Sequence, residues 1–195
     1  MDAVKVITGR AVPLVRSDVD TDQIIPSDWL KRVERTGFGK GLFSEWRDER
    51  EFVLNQPQYA GASILVAGPN FGTGSSREHA VWALQDWGFR AVISPRFGDI
   101  FRGNALKGGL LPVELPEEAV TQLWDAVEAA PEAAIVVDLK KREVVAGQHV
   151  WTFALDDFSR WRLLEGLDDI GLTLRHEAEI DAFEGVRAGW FPVVS

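Results

Sequence analysis

Residues 72 to 80, GTGSSREHA, place two glycines, two serines, an arginine, a glutamate and a histidine in nine consecutive positions. Glycines let a backbone turn expose its N–H groups, and a helix that starts just after such a turn adds the positive end of its dipole. Arg77 contributes a planar, two-pronged donor suited to a carboxylate or a phosphate. An anion therefore fits this loop. Ser75 reads in two ways, as a helix cap in S-x-x-E spacing with Glu78 or as a reactive hydroxyl. His79, four residues after Ser75, invites a Ser/His pairing, but a first-turn histidine in this pattern reads better as a packing or hydrogen-bonding group. Familiar reactive loops fail on particular residues. A P-loop needs Lys before its final Ser/Thr, a dinucleotide turn needs a third Gly near position 77, and a nucleophile elbow needs Gly two residues after its Ser. A second stretch, DVDTDQIIP at 18 to 26, alternates acids like the start of a calcium loop. Gln23 stands where that loop needs Gly and Trp29 where it needs Glu, so calcium is excluded. What remains is a turn-forming acidic loop, or a loop that holds one carboxylate, Asp22, beside Arg77 or a reacting group. The histidines at 79, 149 and 176 have no metal-ligand spacing.

Elements on either side must position these groups. Short apolar runs at VKVI (4 to 7), SILVA (63 to 67), AVIS (91 to 94), AIVVDL (134 to 139) and HVWTFAL (149 to 155) alternate with helical spacing, which predicts an α/β fold. SILVA reads as a buried strand, GPNFGTG as the turn after it, and SSREHAVWALQDWG as a helix ending at Gly88, with Ala80, Val81, Leu84 and Trp87 on its apolar face. PEEAVTQLWDAVEAAP, 116 to 131, predicts a scaffold helix with Val120, Leu123, Trp124 and Val127 inward. The later strands, joined by KKRE and AGQ, predict antiparallel hairpins and hence a mixed sheet.

A chain of 195 residues suits one domain spanning 1–195, and no repeat or Ser/Gly-rich linker argues for a second. Lys and Arg number 21 against 30 Asp and Glu, a net −9, and no basic run interrupts that background, so nucleic acid is not an expected partner. Neither a membrane span nor a secretory signal is expected, which points to the cytoplasm. Cysteine is absent, so any thiolate-held metal centre has to come from another chain.

GTGSSREHA, DTDQIIP, RTGFGKGLFSEW (35 to 46), FGDIFRGNALKGGLLPV (97 to 113) and GLDDIGLTL (166 to 174) together resemble the small subunits of 3-isopropylmalate dehydratase. These small chains correspond to the swivelling fourth domain of the aconitase superfamily. The resemblance runs from about Val4 to Glu184. GSSREHA and GLLP indicate the superfamily, whereas RTGFG-x-x-LF and GL-x-x-IGLTL resemble the bacterial leucine-pathway protein more narrowly. Thr73 departs from relatives that carry Cys between the glycines, at a side chain outside the family's catalytic groups.

The resemblance implies a swivelling β/β/α domain with a mixed, barrel-like sheet and flanking helices. It implies a hydro-lyase that interconverts 2-isopropylmalate and 3-isopropylmalate through 2-isopropylmaleate, in a heterodimer with a large subunit. Three cysteines of that large subunit would carry the 4Fe-4S cluster, and this chain would hold no metal or cofactor. Ser75 would be the base that removes the carbon-bound proton, Ser76 a substrate-binding hydroxyl, Arg77 a carboxylate clamp and Asp22 a further catalytic-site residue. In SDWLKRVERTGFG (27 to 39), the position of Val33 matches an arginine that pairs with a third carboxylate in aconitase. An apolar Val33, with Leu30 and Arg32 beside it, would then suit an isopropyl arm; alternatively Leu30 and Val33 form only the inner face of a short helix. Two other functions stay open on the residues: a sister enzyme acting on homoaconitate or a methylmalate, and a non-catalytic anion-binding module.

Overall fold

The computed structural model describes residues 1–31, 36–74 and 77–188. Among these, the strands are β1 (Val6–Gly9), β2 (Ala11–Leu14), β3 (Ile64–Ala67), β4 (Ala91–Ser94), β5 (Leu111–Glu114), β6 (Ile135–Asp138), β7 (Glu143–Ala146) and β8 (His149–Thr152). The α-helices are α1 (Thr21–Ile24), α2 (Ser44–Arg47), α3 (Glu78–Trp87), α4 (Asp99–Gly108), α5 (Glu117–Ala129), α6 (Asp157–Glu165), α7 (Asp169–Leu174) and α8 (Glu177–Gly185). Both strand directions expected from the sequence are present, and they divide between two four-stranded sheets. One is parallel in the order β2-β3-β4-β5, and the other is antiparallel in the order β1-β6-β7-β8.

The two sheets differ in burial as their patterns dictate. ILVA and AVIS, with no polar alternation, are buried at every position in β3 and β4, as parallel strands with both faces covered must be. β6 and β7 alternate buried and half-buried residues, the signature of a sheet with one wet face. Two strands of the parallel sheet, β2 and β5, lie outside the runs read from the sequence, and each contains a proline, Pro13 or Pro112. Proline cannot donate to a ladder and is confined to sheet edges, and β2 and β5 are the two edge strands.

Helix α5 packs across β2, β3 and β4. Val120, Leu123 and Val127 are buried there, while half-buried Trp124 donates from Nε1 to the Val66 carbonyl at 2.8 Å. The proline expected inside its first turn, Pro116, is the N-cap. Helices α3 and α4 pack on each other, and α4 on β5. Ala80, Val81 and Leu84 are buried on α3 as expected, and the Arg47 guanidinium covers the half-buried Trp87 ring at 4.9 Å. Three chain segments leaving the carboxyl ends of β2, β3 and β4 thereby converge at one end of the parallel sheet, where open α/β sheets bind ligands.

Candidate functional site

The segment after β2 and the segment after β3 are stitched together along their backbones. Asp18 N donates to the Pro69 carbonyl (2.9 Å), Gly72 N to Val19 (2.7 Å) and Thr21 N to Thr73 (3.0 Å). A second seam joins the β3 and β4 segments, with Phe71 N donating to Arg96 (3.0 Å) and Gly98 N to Phe71 (2.9 Å). Isolated parallel bridges, Asp20 to Thr73 and Phe71 to Phe97, extend the sheet pairing into the loops. The turn between them depends on glycine. Gly72 and Gly74 have φ of +76° and +89°, and a Cβ on Gly72 would lie 2.3 Å from the Phe101 ring. Gly98 has an ordinary φ of −65°, but a Cβ there would lie 2.4 Å from the Gly72 carbonyl oxygen. The FGDIF segment thus clamps the glycine turn from below, a support invisible in the sequence because the contact is non-local.

DVDTDQIIP does not stay a loop. It forms the one-turn helix α1, capped by Asp20, whose Oδ1 accepts from Gln23 N (2.8 Å) while Gln23 Oε1 accepts from Asp20 N (3.0 Å). The pattern behind this reciprocal capping box is D-x-x-Q. It fixes Asp22 on the solvent side of α1, where its Oδ1 meets Arg77 Nη1 at 2.5 Å. The same Nη1 donates to the Ile25 carbonyl at 3.3 Å. Asp22 and Arg77, 55 positions apart in sequence, are brought together, with side-chain exposures of 57% and 18%. The guanidinium is therefore oriented at the start of α3, ahead of any substrate.

The capping box expected at Ser75 and Glu78 is corrected by the structure. Helix α3 begins at Glu78, and its N-cap is Arg77, with φ −118°, ψ 100° and no side-chain cap. The extended Arg77 ends the helical path at Glu78, so Arg77 and not Ser75 occupies the N-cap position. Gly88 ends the helix as expected, in a left-handed C-cap. Ser75 and Ser76 lie outside the described residues, between Gly74 and the ion-paired Arg77. The start of α3, whose first N–H groups have no acceptor within the helix itself, follows directly.

His79 packs. Its ring lies 5.3 Å from Phe38 and 4.7 Å from Trp82 in edge-on contacts. Phe38 belongs to the GFGKG stretch, which rests against α3 and whose Gly39 N donates to Asp86 Oδ2 at 2.8 Å. Half-buried Leu30 lies in the 3-10 turn Ser27–Lys31 on the way to that stretch. Arg32 and Val33, the other residues expected to meet the substrate's arm, lie outside the described residues. Among the described residues no group of three or more His, Cys, Asp or Glu side chains converges with the geometry of a metal site. No helix among them is long and apolar enough to cross a membrane.

Comparisons with known proteins give this geometry a family. Residues 1–118 match the model of the aconitase C-terminal domain, and residues 169–192 that of the C-terminal domain of the 3-isopropylmalate dehydratase small subunit. A 3-isopropylmalate dehydratase small subunit from Parafrankia sp. (strain EAN1pec) is 69% identical over 195 residues, all of both chains. One from Frankia alni is 70% identical over 192 residues, 98% of each chain. The crystal structure of a 3-isopropylmalate dehydratase from Methanocaldococcus jannaschii superposes with a TM-score of 0.68 at 27% identity, covering 92% of this chain and 99% of that one.

Proposed function

The chain belongs to the family of 3-isopropylmalate dehydratase small subunits, and we propose on that premise that it acts in leucine biosynthesis as one half of a cytoplasmic hydro-lyase. The reaction is the isomerisation of 2-isopropylmalate to 3-isopropylmalate by loss and re-addition of water through 2-isopropylmaleate. The observation that carries this reading is the Asp22–Arg77 ion pair, held at the N-terminal end of α3 beside the glycine turn.

The substrate is a dianion, and Arg77 offers one of its carboxylates a planar donor whose orientation is set by Asp22 and the Ile25 carbonyl. Pre-orientation of this kind spares the entropy of fixing a long side chain when substrate arrives. Asp22 also keeps the site close to neutral, so that the guanidinium does not sit as an uncompensated charge. Ser75 removes the carbon-bound proton, and Ser76 donates to a substrate oxygen. An alcohol is a poor base in water, so the Ser75 alkoxide relies on the N–H groups that begin α3 and on the nearby Arg77 cation. Leu30 and Val33 line the isopropyl arm, with Arg32 at its edge.

The cleaved C–O bond needs a Lewis acid. The residues present here do not fit that part, since the chain contains no cysteine thiolate to hold an iron-sulfur cluster. A 4Fe-4S cluster on the large subunit supplies that chemistry, and activity requires both chains. The relatives at 69% and 70% identity carry the leucine-pathway name, which does not favour the homoaconitate, methylmalate or anion-binding alternatives.

Mixing the chain with a cluster-loaded large subunit and following 2-isopropylmaleate by its ultraviolet absorbance tests the reading. Turnover of both isopropylmalates is expected from the mixture and none from either chain alone. Dehydratase activity from this chain without a partner, or its absence from the loaded mixture, would overturn it.

A further inference from the structure

Seven of the eleven large apolar side chains exposed among the described residues fall between Phe158 and Val186. Every residue from Thr173 to Ala188 is exposed, so α8 and the end of α7 bury almost nothing against the rest of the chain. Ile170, Leu174, Phe183 and Val186 are 71%, 60%, 68% and 83% exposed. The root of this arm is nonetheless held firmly. Arg162 donates to the Leu167 carbonyl (3.2 Å) and to Asp169 (2.8 Å), and Arg175 lies over the Trp161 ring at 5.1 Å. Asp168 caps α7 through Gly171 N (2.7 Å) and pairs with the Met1 ammonium at 3.4 Å. Large apolar side chains left exposed on an element anchored at its root mark an interface.

The charge around that surface selects the partner. With a helical step of about 100° per residue, Ile180 and Phe183 form one stripe of α8, with Glu177, Asp181 and Glu184 along one side and Glu179 along the other. An amphipathic helix of this kind lays its apolar stripe into a groove, and its acidic borders require basic rims there. A second copy of this chain does not provide them. Its net charge is −9, and the apolar groove between the end of α5 and the β6–β7 hairpin is lined by alanines, Val127, Ile135 and His149 with no Lys or Arg. The arm also coincides with the segment matched as the family's own C-terminal domain, distinct from the model that matches the aconitase-type body.

We propose that α7 and α8 form a docking arm that the large subunit receives in an apolar groove rimmed by Lys and Arg. This rests on the two-subunit reading above and assigns the surface that carries it. The arm contributes affinity and leaves the chemistry at Arg77 unchanged once the complex is formed.

Titration calorimetry of the full-length chain with the purified, cluster-loaded large subunit tests the arm. The double variant Ile180→Ser/Phe183→Ser should raise Kd at least ~30-fold, in the range of losing buried anchors, while kcat returns to the parental value at saturating large subunit. The triple variant Glu177→Lys/Asp181→Lys/Glu184→Lys should weaken binding and abolish the loss of affinity that added salt causes in the parent. The control Val15→Ser/Val150→Ser, at side chains 58% and 57% exposed elsewhere, should leave Kd unchanged. Parental Kd in both arm variants, or an equal loss in the control, overturns the proposal while leaving the two-subunit enzyme intact. A dimer of this chain alone that the Ser variant dissolves, seen by sedimentation, also overturns it in favour of a second copy. Failure of the parental chain to bind the large subunit at all sinks both readings.

Discussion

Gly98→Ala adds one methyl group at a position whose backbone, φ −65° and ψ 133°, suits any residue. Its cost is therefore spatial alone. The new Cβ would stand 2.4 Å from the Gly72 oxygen, 2.9 Å from the Gly72 carbonyl carbon and 3.1 Å from the Thr73 Cα. Ordinary C···O contacts begin near about 3.3 Å, so the two segments must part by about 1 Å. Neither side can yield cheaply: Gly72 N is bonded to Val19 at 2.7 Å, Gly98 N to Phe71 at 2.9 Å, and Phe101 fills the space beneath Gly72. Overpacking of this kind costs about 1–3 kcal/mol, and a displacement of about 1 Å in a loop that positions catalytic groups costs up to about 100-fold in rate. Urea denaturation should give the first number, and kcat of the complex at saturating large subunit the second. Gly103→Ala, in the same helix α4 with no atom within 4 Å of its Cβ, should instead stabilise by about 0.5–1 kcal/mol. A Gly98→Ala chain within about 0.5 kcal/mol of the parent, with unchanged kcat, would refute the clamp.

Ser75→Ala should lower kcat of the reconstituted complex by about 10²- to 10⁴-fold, read from the 2-isopropylmaleate absorbance. Because Arg77 and not Ser75 caps α3, its stability should stay within about 0.5 kcal/mol of the parent, and a larger loss in urea would mean that Ser75 braces the helix. Arg77→Lys should raise KM more than it lowers kcat, since an ammonium cannot make the two-pronged pair; an unchanged KM would take the clamp away from Arg77. Asp168 is held below the usual carboxylate range, first by the Gly171 N–H and then by the Met1 ammonium. A depressed folded pKa stabilises above the unfolded value, near about 3.9, and that contribution disappears as pH falls through the folded pKa. Denaturation curves from neutral pH downward should therefore fall less steeply for Asp168→Asn than for the parent, and parallel curves would remove Asp168 from the acid response.

How much of this was legible in the sequence depended on whether the cause was local. Helices α3 and α5 show their apolar period directly, and Val120, Leu123 and Val127 face inward as the spacing requires. Strands β2 and β5 lie outside the runs read from the sequence, and the sheet order shows that Pro13 and Pro112 sit at edges where proline is tolerated. The two capping patterns exchange places. S-x-x-E at Ser75 satisfies the spacing but meets an extended Arg77, whereas D-x-x-Q at Asp20 forms the box in a stretch whose alternating acids suggested a cation loop. The reading of a loop that holds Asp22 beside Arg77 is met by their ion pair. The Gly98–Gly72 contact could not be read, because no spacing rule connects them.

The exposure of the ion pair also bears on how the site is completed. With Asp22 57% and Arg77 18% exposed, the pair is wet on one side, and an ion pair so placed contributes about 1 kcal/mol or less. An alkoxide in the same surroundings would be populated far too little to remove a carbon-bound proton, because an alcohol keeps its high pKa there while water screens the attraction of the Arg77 cation. In the proposed reading, the large subunit therefore has two separate tasks. It must grip the chain, for which α7 and α8 offer apolar surface, and it must exclude water from Arg77, for which affinity alone is insufficient. The two tasks part experimentally: arm variants should change Kd at constant kcat, and loop variants should change kcat or KM at constant Kd. Loss of both in a single arm variant, even at saturating large subunit, would mean that docking and closure are one event.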